Sequence, residues 1–251
     1  MYLTTTFFLD FVTTSPRYGM TKWPKSAVVT GASMGIGAST CVALANAGLT
    51  VVGLARRAEL VDKLKEKITG SGAIHSQRCD VSKYEDVVAA FAWIEQEFGG
   101  TDVLVNNAGV LIPGHITDVG DNKIDDASIL SVIDTNLKGL VISTRQAVAS
   151  MKKRNFDGHI ININSLAGHY VPFDSCFNVY SGTKHAVTAF SAALLNELAD
   201  CHSSIKVTSI SPGKVRTSML RDTVQGLEPG DIADCIVYAL STPPNVNVSI
   251  V

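Results

Sequence analysis

From Ser26 onward, short runs of consecutive apolar residues alternate with longer stretches whose apolar residues recur at helical spacing. That alternation constrains the fold more than any other feature of the chain. Ser26 to Thr30 (SAVVT), Thr50 to Ala55 (TVVGLA), Ala73 to Cys79, Val103 to Val105, His159 to Asn164 (HIININ), Ile205 to Ile210 and Val246 to Val251 read as strands. Ile36 to Ala47, Ala58 to Ile68, Lys83 to Phe98, Ala127 to Arg154, Val179 to Cys201 and Asp231 to Leu240 read as helices. Strand-helix alternation builds right-handed βαβ units, and these stack into a parallel sheet covered by helices on both faces. Strands buried on both faces are apolar throughout rather than at every second residue, which is the pattern here. The expectation is therefore α/β: one doubly wound parallel sheet of about seven strands with helices on both faces, over residues 22–251.

Residues 1–21 stand apart from that pattern. Met1 to Gly19 is apolar but interrupted by threonines and Asp10. It lacks the basic start and unbroken apolar run of a secretory signal, and it is too broken to span a bilayer. It reads as a poorly ordered N-terminal extension. No other stretch is apolar enough to cross a membrane, and the expected location is cytoplasmic.

Charge and cysteine usage narrow the function classes. Twenty-one basic against 23 acidic side chains give a net charge of −2, so no basic excess points to nucleic acid or an anionic membrane. Five cysteines (Cys41, Cys79, Cys176, Cys201, Cys235) are scattered without a C-x-x-C pair. Neither a disulfide framework nor a metal site is indicated, and a reducing compartment is expected. The sequon Asn247-Val248-Ser249 is read as chance in such a chain.

In a doubly wound sheet the ligand lies beyond the carboxyl ends of the strands. After the first strand comes Thr30-Gly31-Ala32-Ser33-Met34-Gly35-Ile36-Gly37, a G-x-x-x-G-x-G variant of the dinucleotide turn. Its glycines permit positive φ and close backbone approach to a pyrophosphate, and the helix that follows aims its first amides at the anion. Gly31, Ser33, Met34, Gly35, Ile36 and Gly37 are thus expected to touch a dinucleotide. The second strand ends Leu54-Ala55-Arg56-Arg57. A site for NAD usually carries an acid there for the ribose 2′-hydroxyl. Here two guanidinium groups stand ready for a 2′-phosphate, which predicts NADP(H), with Arg56 the better placed. Asp80-Val81 follows the third strand, on the adenine side. Asn106-Asn107-Ala108-Gly109 follows the fourth, with small residues and amides that let the backbone run beside a cofactor.

Tyr180-Ser181-Gly182-Thr183-Lys184 begins a helix, and the i to i+4 spacing puts Tyr180 and Lys184 on one face. Ser165 follows the fifth strand, so the three side chains can converge on one carbonyl. A tyrosine has a reference pKa near 10, and bringing it to about 7 takes about 4 kcal/mol of differential stabilisation. A cation within about 4–6 Å acts in that direction. Tyr180 is the expected acid and base, Lys184 its electrostatic tuner and a ribose ligand, and Ser165 the donor to the substrate oxygen. Taken alone, Y-x-x-x-K is common by chance; its chain position after the glycine turn and Ser165 gives it weight.

With these motifs in place, the sequence resembles the short-chain dehydrogenases/reductases from Lys22 to its end. The resemblance implies a Rossmann fold and a catalytic tetrad of Asn136, Ser165, Tyr180 and Lys184. It assigns Asn136 a role that residue chemistry alone does not suggest, distorting its helix so that a backbone carbonyl holds a water on Lys184. It also places Asp80 and Val81 beside the adenine, Asn107, Ala108 and Gly109 along the cofactor, and Pro212, Gly213, Val215 and Thr217 around the nicotinamide carboxamide. Within the family, VVGLARR and the late STPP run are similar to the insect farnesol dehydrogenase and vertebrate member 11 branches. Relatives of this kind imply a homo-oligomer joined through the long helices. Two departures accompany the match: few residues separate Thr217 from Asp231, where many relatives carry a longer lid, and the chain stops at Val251, where relatives continue.

The segment Leu166 to Val179 edges the expected substrate pocket. Tyr170, Val171, Phe173, Cys176 and Phe177 would give it an apolar, aromatic lining, with Met219 and Leu220 adding to it. The same side chains could instead pack beneath the loop. His169 reads as a loop hydrogen-bonding residue. Ser165, Tyr170, Phe173, Phe177 and Tyr180 are the expected substrate contacts. The substrate would be an apolar alcohol or carbonyl such as an isoprenoid or steroid. A cofactor-binding sensor or scaffold with little turnover is the alternative.

Overall fold

The apolar runs become strands β1 (Ser26–Thr30), β2 (Thr50–Ala55), β3 (Ala73–Arg78), β4 (Val103–Asn106), β5 (His159–Ile163) and β6 (Lys206–Ile210). The computed structural model describes residues 24–117, 119, 122–172, 177–219, 225–243 and 246–248. The strands form one sheet in the order β3-β2-β1-β4-β5-β6, and every pairing is parallel. Val28 in β1 stands opposite Val52 in β2 and Leu104 in β4. The chain winds outward from β1 to β3, then returns to the other side of β1 to lay down β4. The carboxyl ends of β1 and β4 therefore flank the switch point where such folds open a crevice.

Successive strand residues face opposite layers, which is why unbroken apolar runs are needed. Val29, Val51 and Ile161 pack with Leu44 and Ile236 on one face, where α1 (Gly35–Asn46) and α7 (Pro229–Ser241) lie. Val28, Leu104 and Ile160 pack with Ile94, Met151 and Leu198 on the other. That second layer is built from α3 (Tyr84–Phe98), α5 (Gly139–Lys153) and α6 (Asn178–Asp200). Each fully buried Leu, Ile or Val contributes on the order of 1.5–3 kcal/mol by leaving water. At its amino end α7 is fixed by Pro229 and a capping box, in which Glu228 and Asp231 each accept from the other's backbone amide.

Three expectations are corrected. Ala58 to Ile68 is not one helix: α2 (Ala58–Asp62) tightens into a 3-10 turn over Lys63–Lys67. Its two buried anchors, Val61 and Leu64, are three residues apart, the repeat that a 3-10 turn satisfies. The long helix predicted over Ala127 to Arg154 is interrupted. It comprises α4 (Asp126–Ile133), a π-helical turn over Asp134–Lys138, and α5. Among the described residues the sheet has six strands, not seven. Val246 instead closes a turn, its amide donating to the Pro243 carbonyl at 2.9 Å. Its carbonyl accepts from Thr242 Oγ1 at 3.2 Å and Lys206 Nζ at 3.4 Å, so these groups are taken up away from any ladder. Residues 249–251, and the N-terminal extension expected over residues 1–21, lie outside the described residues. No helix among the described residues is long and apolar enough to cross a membrane.

Candidate active site

A cavity of about 610 Å³ opens at the carboxyl ends of the strands. From the turn after β1 it takes in Gly31, Ser33, Met34, Gly35 and Ile36. The ends of β2 and β3 contribute Arg56, Arg57, Asp80 and Val81. Asn107, Ala108 and Gly109 come from the end of β4, and Ser165 from the end of β5. Tyr180 and Lys184 enter from α6, and Pro212, Gly213, Val215 and Thr217 from the segment after β6. Tyr170 and Phe177 also line it, while Phe173, Cys176 and Leu220 lie outside the described residues. Gly37 and Asn136 are buried behind the wall rather than in it.

Backbone geometry explains the glycines. Gly31 has φ +66°, and a Cβ there would lie 2.8 Å from the Ala108 Cα. A Cβ on Gly37 would meet the Gly31 carbonyl oxygen and stand 2.5 Å from Asn107 Nδ2. Asn107 fastens this turn to the end of β4. Its Nδ2 donates to the Thr30 carbonyl at 2.9 Å and the Gly31 carbonyl at 3.2 Å. The Asn107 and Ala108 amides both donate to Thr30 Oγ1 at 3.0 Å. Met34, the residue preceding α1, gives no side-chain cap, so no side chain of the cap residue occupies the amides at that helix end. The turn is thus a bare backbone cradle at a helix amino terminus, which fits the pyrophosphate of a dinucleotide.

The charged groups around the cradle also fit. Arg56 and Arg57 are exposed at the rim, and the Arg57 guanidinium reaches back so that Nη2 lies 3.8 Å from Met34 Sδ. Burial pushes the Asp80 carboxyl up, but hydrogen bonds from Ser82 and the charges of Arg56 and Lys83 outweigh it and hold the group below its ordinary value. Asp80 Oδ1 accepts from the Ser82 amide at 3.1 Å and the Ser82 hydroxyl at 2.7 Å.

On the opposite wall stand Ser165, Tyr180 and Lys184. Ser165 caps a 3-10 turn over Leu166–Gly168, its Oγ accepting from the Ala167 amide at 3.1 Å. Tyr180 lies in the first turn of α6, and both it and Ser165 line the cavity. Lys184 is buried; its Nζ donates to the Ile163 carbonyl at 2.8 Å and lies 5.7 Å from the centre of the Tyr180 ring. Burial brings the Lys184 ammonium down to about 8. Burial also pushes the Tyr180 phenol up, against the lowering effect of the nearby Ser165 hydroxyl. The expected lowering takes Lys184 together with a positive nicotinamide; among the chain's own groups, burial outweighs the Ser165 contribution.

Asn136 sits in the π turn and is 1% exposed. Its Oδ1 accepts from the Val110 amide at 2.8 Å, and its Nδ2 donates to the Val110 carbonyl at 3.0 Å and to Thr183 Oγ1 at 3.2 Å. Thr183 in turn donates to the Tyr180 carbonyl at 2.7 Å. The end of β4, the π turn and the first turn of α6 are therefore one connected unit. Sequence reasoning did not single out Val110, Leu111, Ser131 and Thr135, which also line the cavity. Val110 and Leu111 follow a strand end, which is a usable signal; Ser131 and Thr135 carry none, since their place depends on how α4 is laid across the opening.

Comparison with known proteins follows the same lines. A family model described as short chain dehydrogenase matches residues 25–228. A farnesol dehydrogenase from Aedes aegypti is 48% identical over 237 residues, covering 91% of this chain and 95% of that protein. The mouse dehydrogenase/reductase SDR family member 11 is 39% identical over 251 residues, covering 92% of this chain and 95% of that protein. Among solved structures, an alcohol dehydrogenase from Thermococcus sibiricus complexed with 5-hydroxy-NADP superposes with a TM-score of 0.80 at 25% identity, covering 90% and 94% of the two chains.

Proposed function

The chain belongs to the short-chain dehydrogenase family of oxidoreductases, and from that premise we propose that it is an NADP(H)-dependent enzyme interconverting apolar alcohols and carbonyls. The family brings a nicotinamide cofactor and a small-molecule substrate. The preference for NADP(H) is our reading of Arg56 and Arg57, which stand at the end of β2 where an acid would favour NAD. Farnesol is the substrate in the name of the Aedes relative, and an isoprenoid, steroid or similar substrate suits the Val110, Leu111, Leu166, Tyr170 and Phe177 lining.

One observation carries the chemistry: Ser165, Tyr180 and Lys184 share one wall of the cavity that the glycine turn opens onto. When bound, the nicotinamide supplies or takes up the hydride. In reduction, the Ser165 hydroxyl donates to the carbonyl oxygen as charge gathers there. The Tyr180 hydroxyl gives up its proton to that oxygen, leaving alcohol and phenolate. In oxidation the same phenolate takes the alcohol proton. The Lys184 ammonium, protonated in large part at neutral pH, stabilises the phenolate and supplies a donor for the cofactor ribose. The Asn136 amide holds the turn that carries Tyr180.

The deciding experiment mixes purified protein with NADPH and farnesal, retinal or a keto-steroid, and follows loss of NADPH absorbance. Turnover of at least one apolar carbonyl, faster with NADPH than NADH, is the expected result. Tight NADPH binding without oxidation across a broad carbonyl panel would leave a nucleotide-binding protein with another role.

A further inference from the structure

Helix α6 grips the chain on both sides of Ser165. Upstream, Lys184 Nζ donates to the Ile163 carbonyl at 2.8 Å. Downstream, Thr188, one helical turn past Lys184, donates its hydroxyl to the Gly168 carbonyl at 2.9 Å, with the Lys184 carbonyl as a second acceptor at 3.3 Å. Asn164 Nδ2 donates to that same Thr188 Oγ1 at 2.8 Å. Asn164 immediately precedes Ser165 and is 3% exposed, and its own amide donates to the Ile210 carbonyl at 2.7 Å. Gly168 lets the loop come this close: a Cβ there would lie 2.7 Å from both Asn164 Oδ1 and the Lys184 carbonyl oxygen. Thr188 itself is not part of the cavity wall.

We propose that Thr188, oriented by Asn164, is a positioning residue that sets Ser165 against Tyr180 by tying the loop after β5 to the catalytic helix. The inference rests on the roles proposed above for Ser165 and Tyr180. Two anchor points, Ile163 and Gly168, bracket the serine, and both anchors come from side chains one turn apart on α6. The segment after β6 also holds this loop, through the Leu166 amide on the Pro212 carbonyl at 3.0 Å and His169 Nε2 beside Ser211 Oγ at 2.8 Å. Without Thr188 the Gly168 end loses its tie to α6, and the Leu166–Gly168 turn can shift relative to that helix, carrying Ser165 Oγ with it. A single neutral hydrogen bond adds little to stability. Its loss matters here because a displacement of about 1 Å in a catalytic group can cost on the order of a hundred-fold in rate.

The test compares Thr188→Val and Thr188→Ser in the full chain. It uses NADP and an apolar alcohol, and also measures NADPH affinity by fluorescence titration. Thr188→Val should lower kcat by about ten-fold or more while NADPH affinity stays within about two-fold, because a misplaced hydroxyl damages chemistry before binding. Ser165 opposes the upward push of burial on the phenol, so its displacement should also move the rising limb of the oxidation pH profile to higher pH. Lys184, the ammonium facing the Tyr180 ring, is untouched in both variants. Thr188→Ser keeps the hydroxyl and should restore both kcat and the limb. A merely structural contact would lower the melting temperature and leave the pH profile in place, which overturns the inference. If Thr188→Val loses NADPH binding altogether, Asn164→Ala carries the same expectation. Tyr180→Phe separates the two levels of argument. Wild-type turnover in Tyr180→Phe, or none in the wild type, defeats the underlying roles and this inference together. An inactive Tyr180→Phe beside a Thr188→Val with unchanged kcat and pH limb defeats this inference alone.

Discussion

Asn136 and Val110 make a closed two-way pair: the asparagine amide satisfies both the backbone N–H and the carbonyl of the valine, at 2.8 and 3.0 Å. The pair joins the π turn to the loop after β4. Replacing Asn136 with Ala should cost roughly 1–3 kcal/mol, because Val110 loses both partners in a half-buried place. Equilibrium denaturation in urea measures that loss. Turnover should fall further than stability alone explains, since the strut to Thr183 is lost as well. A variant with wild-type stability and turnover would remove Asn136 from the account.

Tyr180→Phe deletes one oxygen and keeps the ring. Its kcat should drop by a factor of about 10²–10⁴, the usual worth of a positioned acid or base. NADPH affinity should stay within about two-fold, because the cradle is made of Gly31, Gly35 and the α1 amides. Stopped-flow turnover with parallel binding titrations checks both halves. Equal losses in binding and turnover would count against an acid and base role.

Arg56 and Arg57 both edge the cavity but face different neighbours. Arg56 acts on Asp80, whereas Arg57 leans on Met34. Arg56→Asp should weaken NADPH binding by about ten- to a hundred-fold, the worth of a charge-assisted hydrogen bond, with a much smaller change for NADH. Dissociation constants for both cofactors supply the ratio. If Arg57→Asp shifts that ratio and Arg56→Asp leaves it alone, the phosphate reader is Arg57.

His159 begins β5, at the opposite strand end from Ser165, and should make stability fall in acid. Burial holds its imidazole down at about 3, against an ordinary 6.5, and its Nε2 lies 2.8 Å from Thr208 Oγ1. Between those two values the unfolded chain binds a proton that the native fold refuses. Stability from this group is therefore full above 6.5, falls as the pH drops, and levels off below 3. At pH 5 the loss from His159 is about 2 kcal/mol. Urea midpoints at pH 7 and pH 5 should converge in His159→Gln relative to the wild type. Parallel losses in both proteins would assign the acid sensitivity to carboxylates instead.

Much of this molecule is legible in its residues because its strand ends carry short, local signals. Gly31 to Gly37, Arg56, Asp80 and Ser165 each follow an apolar run, and the topology of a parallel sheet then brings them to one edge. Tyr180 and Lys184 are legible through helical spacing. What escapes is whatever depends on packing between segments distant in the chain. Thr188 is an ordinary helix residue until Gly168 and Asn164 are brought against it. The raised phenol of Tyr180 depends on how much water its surroundings exclude, which no spacing encodes. Val61 and Leu64 are compatible with either an α-helix or a 3-10 turn, and only their shared burial decides between them. The turn at Val246 is written in hydrogen bonds to Thr242 and Lys206, not in the apolar letters that suggest a strand.

The π turn over Asp134–Lys138 has a consequence for how this stretch can vary. It accommodates one residue more than a regular α-helix would over the same path, and each helical residue advances the chain by about 100° around the axis. Deleting one residue there would iron the bulge into regular helix and lose the placement of Asn136, whereas inserting one would swing Ala147 and Met151 away from the sheet. Single-letter replacements at Thr135 or Leu137 leave that rotational phase untouched. Between Ile133 and Gly139, then, an added residue is the change this segment can least absorb, because the bulge already holds the one extra residue the path accommodates.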